Sequence, residues 1–285
     1  MRLKLLIVAA LLGCAATIAQ QRALARLSVV SMRAEPSHAS EQVSQALMGT
    51  PVRVLEKGAD WSRVETPDGY RGWIINHSLT FLSEREYKVW LAAPKVMVTA
   101  PFELHDADLT TDLLAGDVLT ALPGDSLGLP DGRRIKRPLG AVAPLDSLCA
   151  APFDPARLPH TAAMYMGVPY LWGGLSGKGL DCSGLVRMAY MAQGRLLPRD
   201  AWQQAREGTE VHPDSLQPGD LIFFGNRKTR RITHVAIYEG AGRYVHASQL
   251  VRRNSLDPGA PDYLPLTVIC RRRVSGKPVT EIEKP

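Results

Sequence analysis

The sequence has few cysteines, and no two of its four cysteines form a Cys-x-x-Cys pair. Because structural zinc sites commonly use such pairs, a zinc site is not supported, and we expect neither a metal nor an organic cofactor. Outside the N-terminal segment that includes Cys14, three cysteines remain, Cys149, Cys182 and Cys270, so at least one is unpaired in the monomer that we expect. The spacing leaves open whether Cys149 and Cys270 form a disulfide.

Aromatic residues are missing from the basic runs of the sequence, which are Arg230-Arg231, Arg252-Arg253 and Arg271-Arg272-Arg273. A nucleic-acid partner is therefore not expected, although the net charge is +6. Solvated surface explains these runs, and an acidic substrate or an anionic envelope would suit the charge equally well. The 285 residues, with 45% hydrophobic and 22% charged side chains, are typical of a globular protein with two or three domains.

The apolar run from Leu5 to Leu12 is too short for a comfortable membrane span. It follows Arg2 and Lys4, the layout of a signal peptide, which we place at residues 1–25. The motif "LLGC" resembles a lipobox in which Cys14 would carry a lipid that anchors the protein to a membrane. The alternative is cleavage after "ALA" at residues 23–25. Either route predicts an exported protein of the cell envelope or periplasm.

The rest of the sequence divides into two β-rich regions and one mixed region. Residues 26–84 contain β-rich runs and the hairpin signal Pro67-Asp68-Gly69, and residues 85–150 contain a weaker copy with a second Pro-Asp-Gly. Two small all-β barrels explain this repeat, and a barrel of this kind could also be a spacer. After a proline-rich linker, residues 155–285 have helical patterns followed by strand patterns, which predicts an α+β domain.

The stretch "LDCSGLVRMAYMAQG" places a cysteine at the start of a predicted helix. Apolar residues recur at helical spacing from Cys182 to Gln193, and Gly194 supplies a stop. A thiol in the first helical turn can have its pKa lowered from about 8.5 to ~3.5–7.5, which favours a nucleophilic thiolate. A buried structural cysteine is the alternative.

Two of the seven histidines lie in strand patterns on either side of a predicted turn near Gly240. A hairpin there would place His234 and His246 nearly opposite each other, with Cβ atoms about 4.5–5.5 Å apart. One imidazole could then accept the Cys182 proton while the other holds its second ring nitrogen. Two polar residues on an exposed strand face are the alternative.

The motifs "PYLWGGLSGKGLDCSGLV", "LQPGDLIFF", "THVAIYEG" and "YVHAS" together resemble the NlpC-type papain-like cysteine peptidases, over roughly residues 155–275. The resemblance implies that Cys182 is the nucleophile, His234 the general base and His246 the residue that orients it. It also implies that the hydroxyl of Tyr170 helps to bind the oxyanion. Tyr170 and Trp172 could instead be plain core aromatics.

The first β-rich region resembles bacterial SH3-like domains, through "RAEPSHASEQVSQALMG" and "DGYRGW". The combination is similar to γ-D-glutamyl-L-diamino acid endopeptidases of the dipeptidyl-peptidase VI type, which act on peptidoglycan-derived peptides with a free L-alanine amine. The implied substrate-binding residues are Asp181, Ser183, Glu41, Tyr70, Trp172 and Asp200. Of these, Glu41, with Tyr70 beside it, would bind the amine, and Asp200 would contact the diamino acid. The degraded second barrel, and Ala201 where many relatives carry serine, leave the fine specificity open.

Three functions are compatible with these motifs. The first is a cysteine peptidase that trims released muropeptides, without a cofactor, at the γ-D-glutamyl bond. The second is an endopeptidase on intact, glycan-linked stems, and the third is a non-catalytic protein that binds the cell wall. The complete Cys–His–His set favours an enzyme over the third.

Overall fold

The computed structural model describes residues 21–106 and 109–279. Cys14 and most of the predicted signal segment lie outside these residues. Within the described residues, no helix combines the length and the apolar character that crossing a membrane requires.

The N-terminal unit consists of seven antiparallel strands in one sheet, and a tight turn at the predicted Asp-Gly joins two of them. The strands are β1 (Arg22–Ala25), β2 (Val29–Arg33), β3 (Gln42–Leu47), β4 (Pro51–Lys57), β5 (Trp61–Glu65), β6 (Arg71–Ile75) and β7 (Leu79–Leu82). Their order is β3-β2-β6-β5-β4-β1-β7. Alternate residues of β5 and β6 are buried, which gives the sheet one apolar face over a core.

Strand β1 corrects the predicted boundary after Ala25. Ala23, Leu24 and Ala25 are buried, and the strand pairs with both β4 and β7 inside the sheet. Cleavage after Ala25 would remove this interior strand and its core contacts, so the structure contradicts that processing site.

The second unit begins with the helix α1 (Glu84–Ala92), which Ser83 and Glu86 start with a reciprocal capping box. Its further elements are β8 (Lys95–Val98), β9 (Phe102–Asp106), β10 (Leu109–Leu113), β11 (Val118–Leu122), β12 (Ser126–Gly128), β13 (Arg134–Lys136), β14 (Val142–Pro144) and α2 (Leu145–Ala150). Five strands form a sheet in the order β13-β12-β11-β8-β14, and β9 pairs with β10. The second Pro-Asp-Gly turn joins β12 to β13, and Gly132 has a φ of 87° that suits glycine.

The third unit has helices packed on an antiparallel sheet, and this confirms the predicted order of small barrels followed by an α+β domain. Its elements are α3 (Leu158–Ala163), β15 (Leu175–Ser176), β16 (Gly179–Leu180), α4 (Cys182–Met191), β17 (Arg195–Leu196), α5 (Ala201–Gln204), β18 (Thr209–Glu210), β19 (Leu221–Gly225), β20 (Ile232–Gly240), β21 (Arg243–Ser248), β22 (Leu250–Ser255), β23 (Val268–Arg273) and β24 (Lys277–Pro278). The main sheet has the order β18-β23-β19-β20-β21-β22. Helix α4, which begins with Cys182, packs on β20 and β21, the two strands that carry His234 and His246.

Buried polar contacts hold the first barrel against its neighbours. The carboxylate of Asp117, from the second unit, accepts hydrogen bonds from the backbone N–H groups of Met48 and Leu114 at 2.9 and 2.8 Å. Burial raises the pKa of Asp117 well above its usual range. Asp68 of the first barrel forms a buried ion pair with Arg187 on α4. These contacts fix the barrel beside the helix that begins with Cys182.

The three described cysteines, Cys149, Cys182 and Cys270, are all free thiols. A Cys149–Cys270 disulfide, which the sequence left open, is therefore not formed in this structure. The Cys149 sulfur instead lies 3.6 Å from the carbonyl oxygen of Gly194.

Candidate active site

Cys182 is the first residue of α4, one residue after the N-cap Asp181. The Asp181 carboxylate accepts the backbone N–H of Gly184 at 2.7 Å, which starts the helix at the cysteine. Gly184 is required here, because a Cβ atom at this position would lie 2.1 Å from the carbonyl oxygen of Gly174. The helix is two residues shorter than the predicted Cys182–Gln193.

A buried arginine, Arg199, completes this N-terminal cap and was not predicted. Its guanidinium binds Asp181 at 2.6 and 3.1 Å and the Ser183 hydroxyl at 3.0 Å, and it is 1% exposed. Asp181 also accepts hydrogen bonds from Ser183 and from the N–H of Gly173. These donors occupy the acceptor positions of the Asp181 carboxylate. The side chains of Asp181 and Ser183 therefore hold the loop at Cys182 in place. Their contact with substrate stays a prediction.

His234 and His246 contact each other directly, with 2.7 Å between Nε2 of His234 and Nδ1 of His246. The register corrects the predicted geometry. Ile237 lies opposite Val245, so His246 is diagonal to His234 on the same face rather than opposite it. His246 is fully buried, and the two rings meet edge to face with centroids 5.0 Å apart.

Asn254 on β22 extends the histidine pair and was also missed from the sequence. Its side-chain amide nitrogen donates to the carbonyl oxygen of Asp262, so its Oδ1 faces Nε2 of His246 at 2.9 Å. His246 must then carry its proton on Nε2, and its Nδ1 accepts a hydrogen bond from the Nε2–H of His234. This leaves Nδ1 of His234 unprotonated, with a lone pair that can accept a thiol proton.

The sulfur of Cys182 lies near the backbone N–H groups of Val235 and Ser183, and Val235 directly follows His234 in the chain. Burial, and secondarily the charge of Asp181, raises the pKa of Cys182 to about 12. Burial lowers the pKa of His234 to about 3 and that of His246 to about 4. The predicted lowering of the thiol pKa is therefore wrong for the free protein. Desolvation of the thiolate outweighs the helix terminus, whose contribution is only about 0.3–1 kcal/mol.

We expect the pH dependence of Cys182 alkylation to reveal this neutral pair. Because the pKa of the thiol is raised, the thiolate fraction should grow about tenfold per pH unit between pH 7 and 9. The measurement is the rate of iodoacetamide labelling of the Cys182 peptide by mass spectrometry, with the Cys149 peptide as a reference in the same sample. A rate that is flat over this range would indicate a thiolate–imidazolium pair instead.

We expect the substitution Asn254→Leu to lower kcat by at least about tenfold, because it removes the acceptor that fixes the tautomer of His246. Asn254→Asp keeps an acceptor and adds a negative charge, which favours protonated His246 and should move the acid limb of the kcat profile to higher pH. Arg253→Gln is the control, because Arg253 lies on the same strand and pairs with Glu239. Wild-type kcat and pH profile in both Asn254 variants would show that the amide has no such role.

A cavity of about 660 Å³ opens onto Cys182 between the first barrel and the third unit. Eight of the predicted site residues line it, namely Glu41, Tyr70, Tyr170, Trp172, Asp181, Cys182, Ser183 and Asp200. The two histidines lie behind it rather than in its lining. The lining residues that sequence reasoning missed are Val43, Trp202, Arg231, Ile232 and Thr233, since nothing in their local patterns distinguishes them from ordinary strand and loop residues.

The barrel side of the cavity carries the predicted acidic residue. Glu41 accepts a hydrogen bond from the indole Nε1 of Trp172 at 2.7 Å, and Gln42 donates to the Trp172 carbonyl oxygen at 2.9 Å. Trp172 is 60% exposed, so it is a cavity wall and not a core aromatic. Glu41 is held in position while its carboxylate still faces the cavity.

Asp200 lies on this same barrel side, because it interacts with the hydroxyl of Tyr70. Burial and the charge of Asp200 raise the pKa of Tyr70 to about 12, and burial raises the pKa of Asp200. The indole of Trp202 donates to Asp200 at 3.1 Å. Asp200 therefore lies with Tyr70 at the barrel side of the cavity, and its contact with the diamino acid stays a prediction.

Tyr170 enters the cavity from the loop before Cys182, where its backbone N–H donates to the Gln249 carbonyl oxygen at 2.8 Å. Burial, with added repulsion from Cys182 and Asp181, raises the pKa of Tyr170 above its usual range. Its hydroxyl thus stays protonated beside the sulfur and can donate a hydrogen bond to negative charge that develops there.

In the described residues, no group of three or more histidine, cysteine or acidic side chains has the geometry to hold a metal ion. A thiol and a phenol in the cavity lining, with two linked imidazoles behind it, are the groups that a nucleophile, a base, its orienting partner and an oxyanion donor require. The fold and the site together define a cysteine-type peptidase of the papain-like class that carries an N-terminal SH3-like domain.

Comparison with known proteins agrees with this class. The model of the NlpC/P60 family matches residues 167–263, and the model of the bacterial SH3 domain matches residues 28–80. A γ-D-glutamyl-L-lysine dipeptidyl-peptidase of Bacillus cereus is 30% identical over 249 residues, which are 80% of this chain and 74% of that protein. Dipeptidyl-peptidase 6 of Lysinibacillus sphaericus is 30% identical over 82% of this chain and 92% of its own length.

A crystal structure of an NlpC/P60 family protein from Bacillus cereus has the same arrangement, with a TM-score of 0.75 and 26% identity. The match covers 89% of this chain and 99% of that one. The chain therefore belongs to the NlpC/P60 family.

Proposed function

We propose that this peptidase acts on peptidoglycan-derived peptides and hydrolyses the bond between γ-D-glutamate and an L-diamino acid in stems with a free N-terminal L-alanine. The observation that carries the proposal is Glu41, an acid of the SH3-like barrel that Trp172 holds in the cavity of Cys182. The names of the relatives from Bacillus cereus and Lysinibacillus sphaericus, both dipeptidyl-peptidases, agree with it.

In the proposed reaction, the γ-carbonyl carbon of D-glutamate lies next to the sulfur of Cys182. His234 accepts the thiol proton through Nδ1 as the C–S bond forms, and the Tyr170 hydroxyl stabilises the oxyanion. The proton then passes from His234 to the amine of the diamino acid, which leaves as the C–N bond breaks. Water hydrolyses the resulting thioester, with His234 again as the base. His246 and Asn254 keep His234 in the required tautomer throughout.

The free amine of L-alanine would bind at the barrel side of the cavity. An ammonium group needs a fixed counter-charge when it leaves water, and the carboxylates of Glu41 and Asp200 lie at this side. In a glycan-linked stem the same nitrogen is an uncharged amide that carries further bulk. The wall of Glu41, Tyr70 and Trp172 would then exclude intact stems and admit released peptides.

The test compares L-Ala-γ-D-Glu-meso-diaminopimelate with the same peptide acetylated on its alanine nitrogen. We expect the free peptide to be cleaved at least about 100-fold faster in kcat/KM, because acetylation removes the charge that Glu41 binds. Glu41→Gln should lower kcat/KM for the free peptide about 30- to 100-fold and leave the acetylated one unchanged. Glu35→Gln is the control, an exposed acid of the same barrel away from the cavity.

Equal cleavage of both peptides would reject the dipeptidyl-peptidase assignment and indicate an endopeptidase with an open cleft. Cleavage of neither, with retention on insoluble cell wall, would indicate a binding protein.

We also propose that the protein acts outside the cytoplasm, in the cell envelope. The support is the basic and apolar sequence of residues 1–12 together with the lipobox-like motif that ends at Cys14. Labelling of cells with a fatty-acid analogue, in wild type and in Cys14→Ala, tests the lipid.

A further inference from the structure

Arg231 lines the cavity and ends the tight loop between β19 and β20. The backbone N–H of Asn226 donates to the Arg231 carbonyl oxygen at 2.9 Å, and the Asn226 side chain accepts from the N–H groups of Lys228 and Thr229. Gly225 lies so close that a Cβ there would be 2.0 Å from the Arg231 oxygen. These contacts close the loop into a compact turn at whose end the Arg231 side chain begins.

The guanidinium of Arg231 is the only positive charge among the described residues that line this cavity. Among the described residues it has no hydrogen bond or ion pair, whereas its neighbour Arg230 donates to the Ile269 carbonyl oxygen at 3.1 Å. The other charged residues that line the cavity are the acids Glu41, Asp181 and Asp200, and Asp181 is already paired with Arg199. An exposed guanidinium in a cleft is a suitable partner for an anionic group of a substrate.

The charges of the cleft are arranged by element. Glu41 and Asp200 contact Trp172 and Tyr70 at the barrel side. Arg231 instead precedes β20, the strand that carries His234 three residues later. If the alanine amine lies at the barrel and the scissile carbonyl at Cys182, the leaving diamino acid extends away from the barrel, toward residues 231–233.

We propose that Arg231 binds the side-chain carboxylate of diaminopimelate and makes this peptidase selective for diaminopimelate over lysine. The inference rests on the function proposed above and names its substrate. Meso-diaminopimelate is lysine with one additional carboxylate on the ε-carbon, so this group is the whole chemical difference. A guanidinium can bind a carboxylate through two parallel hydrogen bonds, whereas lysine presents only an ammonium of like charge.

The test uses two tetrapeptides, L-Ala-γ-D-Glu-X-D-Ala, in which X is L-lysine or meso-diaminopimelate. The α-carboxyl group of X is in a peptide bond in both, so only the side-chain carboxylate differs. We expect the wild-type full chain to prefer diaminopimelate at least about tenfold in kcat/KM. Arg231→Gln should lose at least about tenfold on the diaminopimelate peptide and stay within about twofold on the lysine peptide.

Two further variants sharpen the result. Arg227→Gln changes an exposed arginine of the same loop that does not line the cavity, and it should behave as wild type. Arg231→Lys keeps the charge without the planar fork, and it should have an intermediate preference.

The proposal would be overturned if Arg231→Gln and Arg231→Lys lowered kcat/KM equally on both peptides, or on neither. A wild-type preference for the lysine peptide would overturn it as well. In each of these cases cleavage of the lysine peptide by the wild type still supports the proposed function. Failure of the wild type to cleave either peptide would instead reject the function and the selectivity together.

Discussion

Replacement of Cys182 by Ala is expected to lower kcat for a cleavable stem peptide by at least about 10⁴-fold. Cys182 lies at the start of α4, lines the cavity, and adjoins the histidine whose free lone pair can accept its proton. Without the sulfur no thioester can form, and the remaining groups can only bind substrate and polarise its carbonyl. The measurement is single-turnover product formation followed by mass spectrometry.

The chain supplies its own controls for this substitution. Cys149 and Cys270 are also free thiols, but neither lines the cavity. Cys149→Ala and Cys270→Ala should therefore retain kcat within about twofold, as expected for substitutions away from the reacting atoms. Turnover in Cys182→Ala above one hundredth of wild type would mean that another group attacks the amide.

The second large effect is on stability. Replacement of Arg199 by Met should lower the free energy of unfolding by about 3–5 kcal/mol, because it leaves the buried Asp181 carboxylate without its counter-charge. For a chain of this size, the melting temperature should fall by about 6–20 °C. Differential scanning calorimetry and urea titration measure the change.

Two comparisons separate loss of the ion pair from loss of an arginine. Arg206→Met changes an exposed arginine that lies over the Trp202 ring, and it should cost less than about 1 kcal/mol. The double variant Asp181→Asn with Arg199→Met removes both charges, and it should recover part of the stability. A double variant as unstable as the sum of its two single changes would show that the two charges do not interact.

Local sequence patterns predicted most of the elements that position the site. The helix at Cys182 follows from its apolar spacing and glycine stop, and the strands of His234 and His246 follow from apolar runs around a glycine turn. Strand β22 was missed, because "LVRRNS" reads as a basic surface run, and with it Asn254 was missed as the partner of His246.

Properties that depend on distant parts of the chain were not readable from the sequence. Arg199 meets Ser44 of the barrel, which lies 155 residues earlier in the chain. The sign of the Cys182 pKa shift depends on how completely the folded chain excludes water, which a helix start does not reveal. The strand Arg22–Ala25 was misread because its small residues satisfy a cleavage motif and a packed sheet equally well.

The contacts of β3 with the loop before α4 have a consequence for how this enzyme can change. Residues 41, 42 and 45 of the barrel bind Trp172 and the backbone N–H of Leu175, in the loop that runs from Tyr170 to the nucleophile. The barrel therefore also shapes the loop that leads to the thiol. A catalytic unit built in this way cannot be joined to a different barrel unless the new partner offers the same contacts. Under the proposed function, an exchange of the barrel would therefore change the choice of substrate and the shape of the loop before the nucleophile together.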